Sequence, residues 1–294
     1  MTDVPVDPPI HAVRAAVAAA LAEDLTPLGD LSAALVPADA RVEAAFTARD
    51  VGVLAGSACA TEAFAQLDPA VTVTWSHHDG DHVEPGTTVA TVTGPLAAVL
   101  TGERTALNFL CHLSGIATLT RRFADAAAEG GDARIWDTRK TTPGLRSLEK
   151  AAVRAGGGAS HRGNLSDWVM FKDNHLAALG IEEAVRRARH AWPARTIHVE
   201  VDDLDALRTA LDAGCDAVLL DNFTTDQATE AVAIAERWAA EHGGRRPLLE
   251  CSGRITVETA AAYAATGVDL LSTSQITQSA PALDIGLDVD PRNR

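Results

Sequence analysis

Polar and apolar positions along this 294-residue chain follow two rhythms. In the first hundred residues the rhythm changes from segment to segment. His11 to Glu23 reads as an Ala-rich helix, Arg41 to Leu54 alternates like strands, and Ser57 to Gln66 reads as a helix again. Val71 to Trp75 and Thr87 to Val92 read as strands on either side of the turn-rich HHDGDHVEPG. This part is therefore mixed α and β. From about Gly102 to Ala128 the pattern predicts a long helical stretch, interrupted at Ser114-Gly115, that links two domains.

Beyond that link the rhythm becomes regular. Short apolar strands are predicted at Arg134–Trp136, Trp168–Phe171, Thr196–Val201, Ala217–Leu220, Leu248–Cys251 and Leu270–Thr273. Helices are predicted at Ser147–Ala155, Ile181–Ala191, Leu204–Ala213, Thr225–Ala240 and Val257–Ala265. Apolar strands alternating with helices imply a parallel sheet covered on both faces. No GxGxxG fingerprint occurs, which favours a barrel over a dinucleotide-binding sheet. In α/β barrels the working residues sit at the C-terminal ends of strands. Polar clusters follow the predicted strands here: Asp137-Thr138-Arg139-Lys140, Lys172-Asp173-Asn174-His175, Glu200, Asp221-Asn222 and Ser252-Gly253.

Composition narrows the function. A net charge of −15 argues against nucleic acid as a partner, because phosphate backbones are held by Lys and Arg. No apolar run approaches the roughly 20 residues of a membrane helix, and MTDVPVDPPIH lacks the basic end and apolar core of a signal peptide. A soluble, cytoplasmic protein with no membrane partner is expected. Cys59, Cys111, Cys215 and Cys251 lie far apart, which predicts reduced thiols rather than a disulfide framework or a zinc site.

One segment departs from the acidic background. Thr138 to Lys172 carries seven Lys or Arg residues against two acids, Glu149 and Asp167. It also holds every lysine in the chain: Lys140, Lys150 and Lys172. Lys and Arg are not interchangeable at a tight site, so this clustering points to a local pocket for a small, multiply anionic ligand. Arg146, Lys150 and Arg154 have helical spacing and are read as a solvated helix face.

Seven motifs carry a family resemblance: GERTALNFLCHLSGIAT, DTRKTTPGLRSLEKAAVRAGGG, HRGNLSDWVMFKDNH, HVEVDD, LLDN, ECSG and ALDIGLD, in that order over nearly the whole chain. The chain resembles quinolinate phosphoribosyltransferase, the carboxylating nicotinate-nucleotide pyrophosphorylase. The resemblance implies an α/β protein with an N-terminal α/β sandwich-like domain (1–115, completed by 280–294) and an incomplete parallel α/β barrel (116–279). It implies quinolinate and phosphoribosyl pyrophosphate as substrates and nicotinate mononucleotide, pyrophosphate and carbon dioxide as products. It further implies magnesium and a homodimer whose sites draw on both subunits. Alternatives are a paralogue acting on another aromatic acid, or a ligand-binding homologue with impaired catalysis.

Planar guanidinium forks match carboxylates, so Arg139 and Arg162 are expected to hold the dicarboxylate, with Thr138, Lys172 and His161 beside them. Arg104 is assigned, by resemblance, to the site of the other subunit. Lys140 suits the leaving pyrophosphate or the ribose phosphate. Glu200 and Asp221 suit ribose hydroxyls and magnesium, a hard ion that takes oxygen ligands, and with Lys140 they form the expected catalytic set. The 5′-phosphate is expected at Ser252-Gly253-Arg254 and Thr273-Ser274-Gln275. The family has Ser-Gly-Gly and Val-Gly-Ala there, so Arg254 and Ser274 stand in place of glycines.

Overall fold

The computed structural model describes residues 7–289. In chain order its helices are α1 (Ile10–Leu25), α2 (Ser57–Leu67), α3 (Leu96–Gly130), α4 (Arg146–Ala155), α5 (Asp173–Leu179), α6 (Ile181–Ala191), α7 (Leu204–Asp212), α8 (Thr225–His242), α9 (Val257–Ala264) and α10 (Gln275–Gln278). Its strands are β1 (Arg41–Ala48), β2 (Gly52–Val53), β3 (Thr72–Trp75), β4 (His82–Val83), β5 (Thr88–Pro95), β6 (Arg134–Trp136), β7 (Val169–Phe171), β8 (Ile197–Val201), β9 (Ala217–Asp221), β10 (Leu248–Ser252), β11 (Leu270–Ser272) and β12 (Ile285–Val289). The chain divides into two compact units. The first runs to Arg121 and includes Thr141–Gly157 and the segment from Ile276 onward; the second holds Arg122–Lys140 and Gly158–Gln275. Residues 290–294 of the expected closing segment lie outside the described residues, as does most of the MTDVPVDPPIH start.

In the first unit an antiparallel sheet runs in the order β12-β1-β5-β3. Strand β1 buries Val42, Ala44, Phe46 and Ala48, every second residue, so one face meets the core. Phe46 stacks on Trp75 at 6.0 Å and meets Phe64 of α2 at 6.2 Å. Strands β3 and β5 pair antiparallel from Thr72↔Thr93 to Trp75↔Ala90. The turn between them is more than a hairpin. It contributes β4, which pairs with β2, and Asp79, whose carboxylate accepts from the Gly56 and Ser57 amides at 2.8 and 3.2 Å. An acid at that place satisfies orphan amides and complements the dipole of α2.

The break expected at Ser114-Gly115 does not occur: α3 is one continuous helix of 35 residues. Both residues serve close packing. Ser114 Oγ accepts from the Ala55 amide at 2.9 Å and donates to its carbonyl at 3.1 Å. A Cβ at position 115 would overlap the Pro281 carbonyl. The signal read as a helix breaker is a close backbone approach, which only glycine tolerates.

A second correction concerns α4. Its Lys150 is buried, at 5% exposed, and Glu149 is wholly buried; Arg146 and Arg154 are half-buried, so the helix has no solvated basic face. The helix is packed inside the first unit, where a Cβ at Gly156 would overlap the Ala117 carbonyl. Glu149 accepts from the Thr142 amide at 3.1 Å and pairs with His112 at 2.9 Å.

The second unit is a six-stranded parallel sheet in the order β6-β11-β10-β9-β8-β7. Each strand pairs with its neighbour in the chain except β6 and β7, and β11 returns to pair with β6. This is an α/β barrel left open between β6 and β7. The first helix after β6 in the chain, α4, belongs to the other unit. Strands β8 and β9 are buried almost throughout, as helices on one face and the barrel interior on the other require. Capping is local: Asp203 accepts from the Asp205 and Ala206 amides, and Thr224 and Thr256 head capping boxes for α8 and α9.

Gly115→Ala is expected to destabilise the protein by at least ~2 kcal/mol, since an overpacked methyl there meets backbone rather than a mobile side chain. Urea unfolding of the variant against wild type measures it, and an unchanged midpoint would contradict the close approach.

Candidate active site

Along parallel strands, residues two apart share a face. At the C-terminal end of the barrel this alternation builds two inward layers. The upper layer is Lys172, Glu200, Asp221 and Ser252; the lower is Met170, His198, Leu219 and Glu250. Strand register aligns each layer within β7–β8 and within β9–β10–β11, with Met170 opposite His198, Glu250 opposite Leu219, and Ser252 opposite both Asp221 and Ser272; between β8 and β9 it steps by one layer, placing Glu200 opposite Leu219. All of them but His198 line a cavity of about 310 Å³ whose wall also includes Thr138, Arg139, Lys140, His161 and Arg162. Nine of the residues selected from sequence line this one cavity. A larger cavity of about 480 Å³ in the first unit is walled by alanines, Phe109, His112 and the acids Glu23 and Asp24 among others, with no Lys or Arg.

Arg139 and Arg162 stand close enough to oppose each other's charge. Burial pushes the Arg162 guanidinium below its usual value and the charge of Arg139 adds to this, while Asp167 and Glu200 pull the other way. Arg162 is 7% exposed and its Nε has no hydrogen-bond partner among the described residues. Two crowded guanidiniums with an unfilled donor form a site for a group bearing two negative charges.

Lys172 and Glu200 form a direct ion pair in the cavity wall. Asp221 accepts from the Asn222 amide side chain at 2.9 Å, and Asn222 has a left-handed φ of 56°. The segment after β7, Lys172-Asp173-Asn174-His175, begins a short helix that the sequence reading missed. His175 Nδ1 accepts from the Lys172 amide at 3.2 Å, which fixes the turn that carries Lys172.

The expected phosphate segments are placed differently. Ser252 lines the cavity, whereas Gly253, Arg254, Thr273, Ser274 and Gln275 are absent from its wall. Gly253 has φ +106°, and a Cβ there would overlap Asn222 Oδ1. Arg254 is exposed. Thr273 Oγ1 and Gln275 Nε2 both donate to the Ile255 carbonyl, at 3.5 and 3.4 Å, so these two side chains tie the last βα loop to the one before it. Arg104 is exposed on α3 in the first unit and does not line the cavity.

Two lower-layer residues escaped the sequence reading. Glu250 is wholly buried and His198 is 2% exposed. Burial pushes His198 down to about 4; His161, Arg162 and Lys172 reinforce this against the pull of Glu250. Burial pushes the Glu250 carboxyl up, but the His161 and His198 rings and the Ser272 hydroxyl outweigh it and hold it below its ordinary value. The signal was present: HVEV and ECS each place a second polar residue two positions before the one selected, on the same inward face.

An α/β barrel whose mouth gathers crowded guanidiniums, lysines and carboxylates defines an enzyme of small, multiply anionic substrates. Residues 116–288 match the family "Quinolinate phosphoribosyl transferase, C-terminal domain" and residues 30–114 match "Quinolinate phosphoribosyl transferase, N-terminal domain". The chain is 42% identical over 282 residues to the carboxylating nicotinate-nucleotide pyrophosphorylase of Mycobacterium leprae, covering 95% of this chain and 97% of that one. It is 37% identical over 295 residues to the chloroplastic enzyme of that name in Arabidopsis thaliana, covering 96% and 84%. The solved nicotinate-nucleotide pyrophosphorylase from Francisella tularensis superposes with a TM-score of 0.90 at 36% identity, covering 99% of this chain and all of that one. The chain belongs to the quinolinate phosphoribosyltransferase family.

Because buried His198 is held neutral in the fold and titrates near 6.5 when unfolded, the unfolded state binds more protons between those values. Stability should therefore fall as pH drops from about 6.5 to about 4, by on the order of 3 kcal/mol from this group. Glu250, held low, adds to the loss in the same direction as pH falls through its folded value. Denaturant unfolding across this range should show a slope that flattens in His198→Gln.

Proposed function

We infer that this barrel mouth joins quinolinate to phosphoribosyl pyrophosphate, giving nicotinate mononucleotide, pyrophosphate and carbon dioxide, the step that supplies the pyridine ring in de novo NAD synthesis. One observation carries the reading: Arg139 and Arg162 converge, partly buried, in a single cavity sized for a small acid.

In the reaction the pyridine nitrogen attacks the anomeric carbon of the ribose as pyrophosphate leaves. Arg139 and Arg162 hold the two carboxylates and thereby aim the nitrogen. Lys140, exposed at the cavity rim, meets the departing pyrophosphate. Asp221 and Glu200 face the ribose, where positive charge develops, and stabilise it electrostatically. Once the nitrogen is quaternised, the adjacent carboxylate leaves as carbon dioxide; its bonding electrons are stabilised by the cationic ring, and that carbon then takes a proton.

The carboxylates of the mouth fit a hard divalent ion in part. Glu200 is already matched by Lys172, so Asp221 is the residue that would hold magnesium, with the remaining oxygens coming from the diphosphate. When bound, the ion neutralises charge on the leaving pyrophosphate. The reading includes a cytoplasmic homodimer in which Arg104 of one copy reaches the site of the other; its exposure on α3 supports this.

Incubating the protein with quinolinate, phosphoribosyl pyrophosphate and magnesium should yield nicotinate mononucleotide; no product would refute the assignment. Arg139→Ala should lower kcat/KM for quinolinate by ~100-fold or more, as expected for a lost charge-assisted pair of about 3 kcal/mol. Mixing inactive Arg104→Ala and Arg139→Ala proteins should restore activity if sites are shared, and no recovery despite proven subunit exchange counts against sharing. Arg254→Gly separates two roles at the loop after β10: a tighter apparent affinity for phosphoribosyl pyrophosphate marks an obstructing side chain, a weaker one a phosphate ligand.

A further inference from the structure

The floor of the cavity poses an electrostatic problem. Glu250 is wholly buried beneath a site for a dicarboxylate, and a second negative charge there should repel the substrate. Its carboxylate is placed against two rings. His161 Nε2 and His198 Nε2 lie 3.4 Å from the same oxygen, Oε2, on rings 5.8 Å apart and inclined by 24°. Of the two rings, only His161 lines the cavity.

His161 is held from every other direction. Its amide donates to Asp137 Oδ1 at 2.8 Å, and Asp137 is itself wholly buried. Trp168 lies 4.9 Å from the ring and Trp136 meets it edge-on at 5.6 Å. Such confinement is what a preorganised binding group needs: a ring whose rotation is stopped by packing and whose far nitrogen is fixed by a carboxylate. A carboxylate behind a histidine also sets which nitrogen carries the proton and raises the basicity of the ring.

We propose that Glu250 is a positioning residue for the aromatic-acid substrate, acting through His161, with His198 as the brace on its other side. The proposal rests on the reading of this cavity as the quinolinate site. From the cavity floor Glu250 acts on the ring: it fixes the proton on His161 Nε2 and turns the ring to the cavity beside Arg162. The Nε2–H that Glu250 fixes in turn partners the buried carboxylate before the dicarboxylate arrives. The 3.4 Å contacts exceed hydrogen-bond length, and contacts of this kind commonly shorten when substrate binds.

Glu250→Gln keeps the shape and removes the charge. With wild type first shown to bind quinolinate by calorimetry and to form product, the variant should raise KM for quinolinate by about 10-fold and leave KM for phosphoribosyl pyrophosphate within about twofold. In a His161→Gln background the same change should have no further effect on quinolinate binding, because its route is gone. The ring nitrogen signals of His161 in the NMR spectrum should move in Glu250→Gln. Equal effects on both KM values, losses that add in the double variant, or His161 signals that stay in place would each overturn the proposal. A stoichiometric transition metal in the purified protein, lost from Glu250→Gln, would also overturn it, since the three side chains would then be ligands. Where Glu250→Gln fails to fold, Glu250→Asp, whose shorter carboxylate retreats from His161, should shift quinolinate KM in the same direction; no shift would count against positioning. Should wild type neither bind nor convert quinolinate, the reading of the cavity fails, and the His161 signals still decide whether Glu250 sets that ring.

Discussion

Bringing two guanidiniums together in a half-closed cavity is unfavourable, and much of the second unit can be understood as the means of sustaining it. Arg139 and Arg162 raise each other's cost, and burial adds to it. The charges that oppose this on Arg162 are those of Asp167 and Glu200, and Asp221 and Glu250 add further carboxylates to the same cavity wall. Period-two alternation in short parallel strands is what places those carboxylates within reach while their flanking residues remain apolar and packed. Without that offset the repulsion between the two guanidiniums would stand uncompensated before a substrate arrived.

The loops carry the other half of the arrangement. Asp137, wholly buried, holds the His161 amide, so the loop carrying His161 and Arg162 is tied to the end of β6, the strand that leads into Arg139. On the far side Thr273 and Gln275 share the Ile255 carbonyl. The mouth is thus closed by side chain to backbone ties between successive βα loops, which is how an open barrel with a missing neighbour contact can still present a fixed rim.

Much of this was legible in the sequence. The barrel strands and their helices were found within a few residues, because apolar strands bounded by polar clusters are a strong local signal, and so was the upper layer, since charged residues at strand ends stand out. What was lost were features set by tertiary contact. Ser114-Gly115 looked like a helix break because glycine is ambiguous between a weak helix former and a point of close approach. Lys150 looked solvated because helical spacing says nothing about which face of a helix its own unit covers. Glu250 and His198 were passed over because a charge inside a strand normally argues against burial; only the ring and carboxylate beside each other make it tolerable.

The ladder between β1 and β12 pairs Ala44 with Val289 and Ala48 with Ile285. Strand β1 is made before every barrel strand, and its partner after all of them. Throughout synthesis of the barrel, that edge of β1 has no native neighbour, and an open edge is a template for unwanted pairing. The first unit therefore begins to form early yet finishes only after the barrel residues have been made, so a chain truncated after β11 would carry every residue lining the cavity and still present an incomplete sheet to its surroundings.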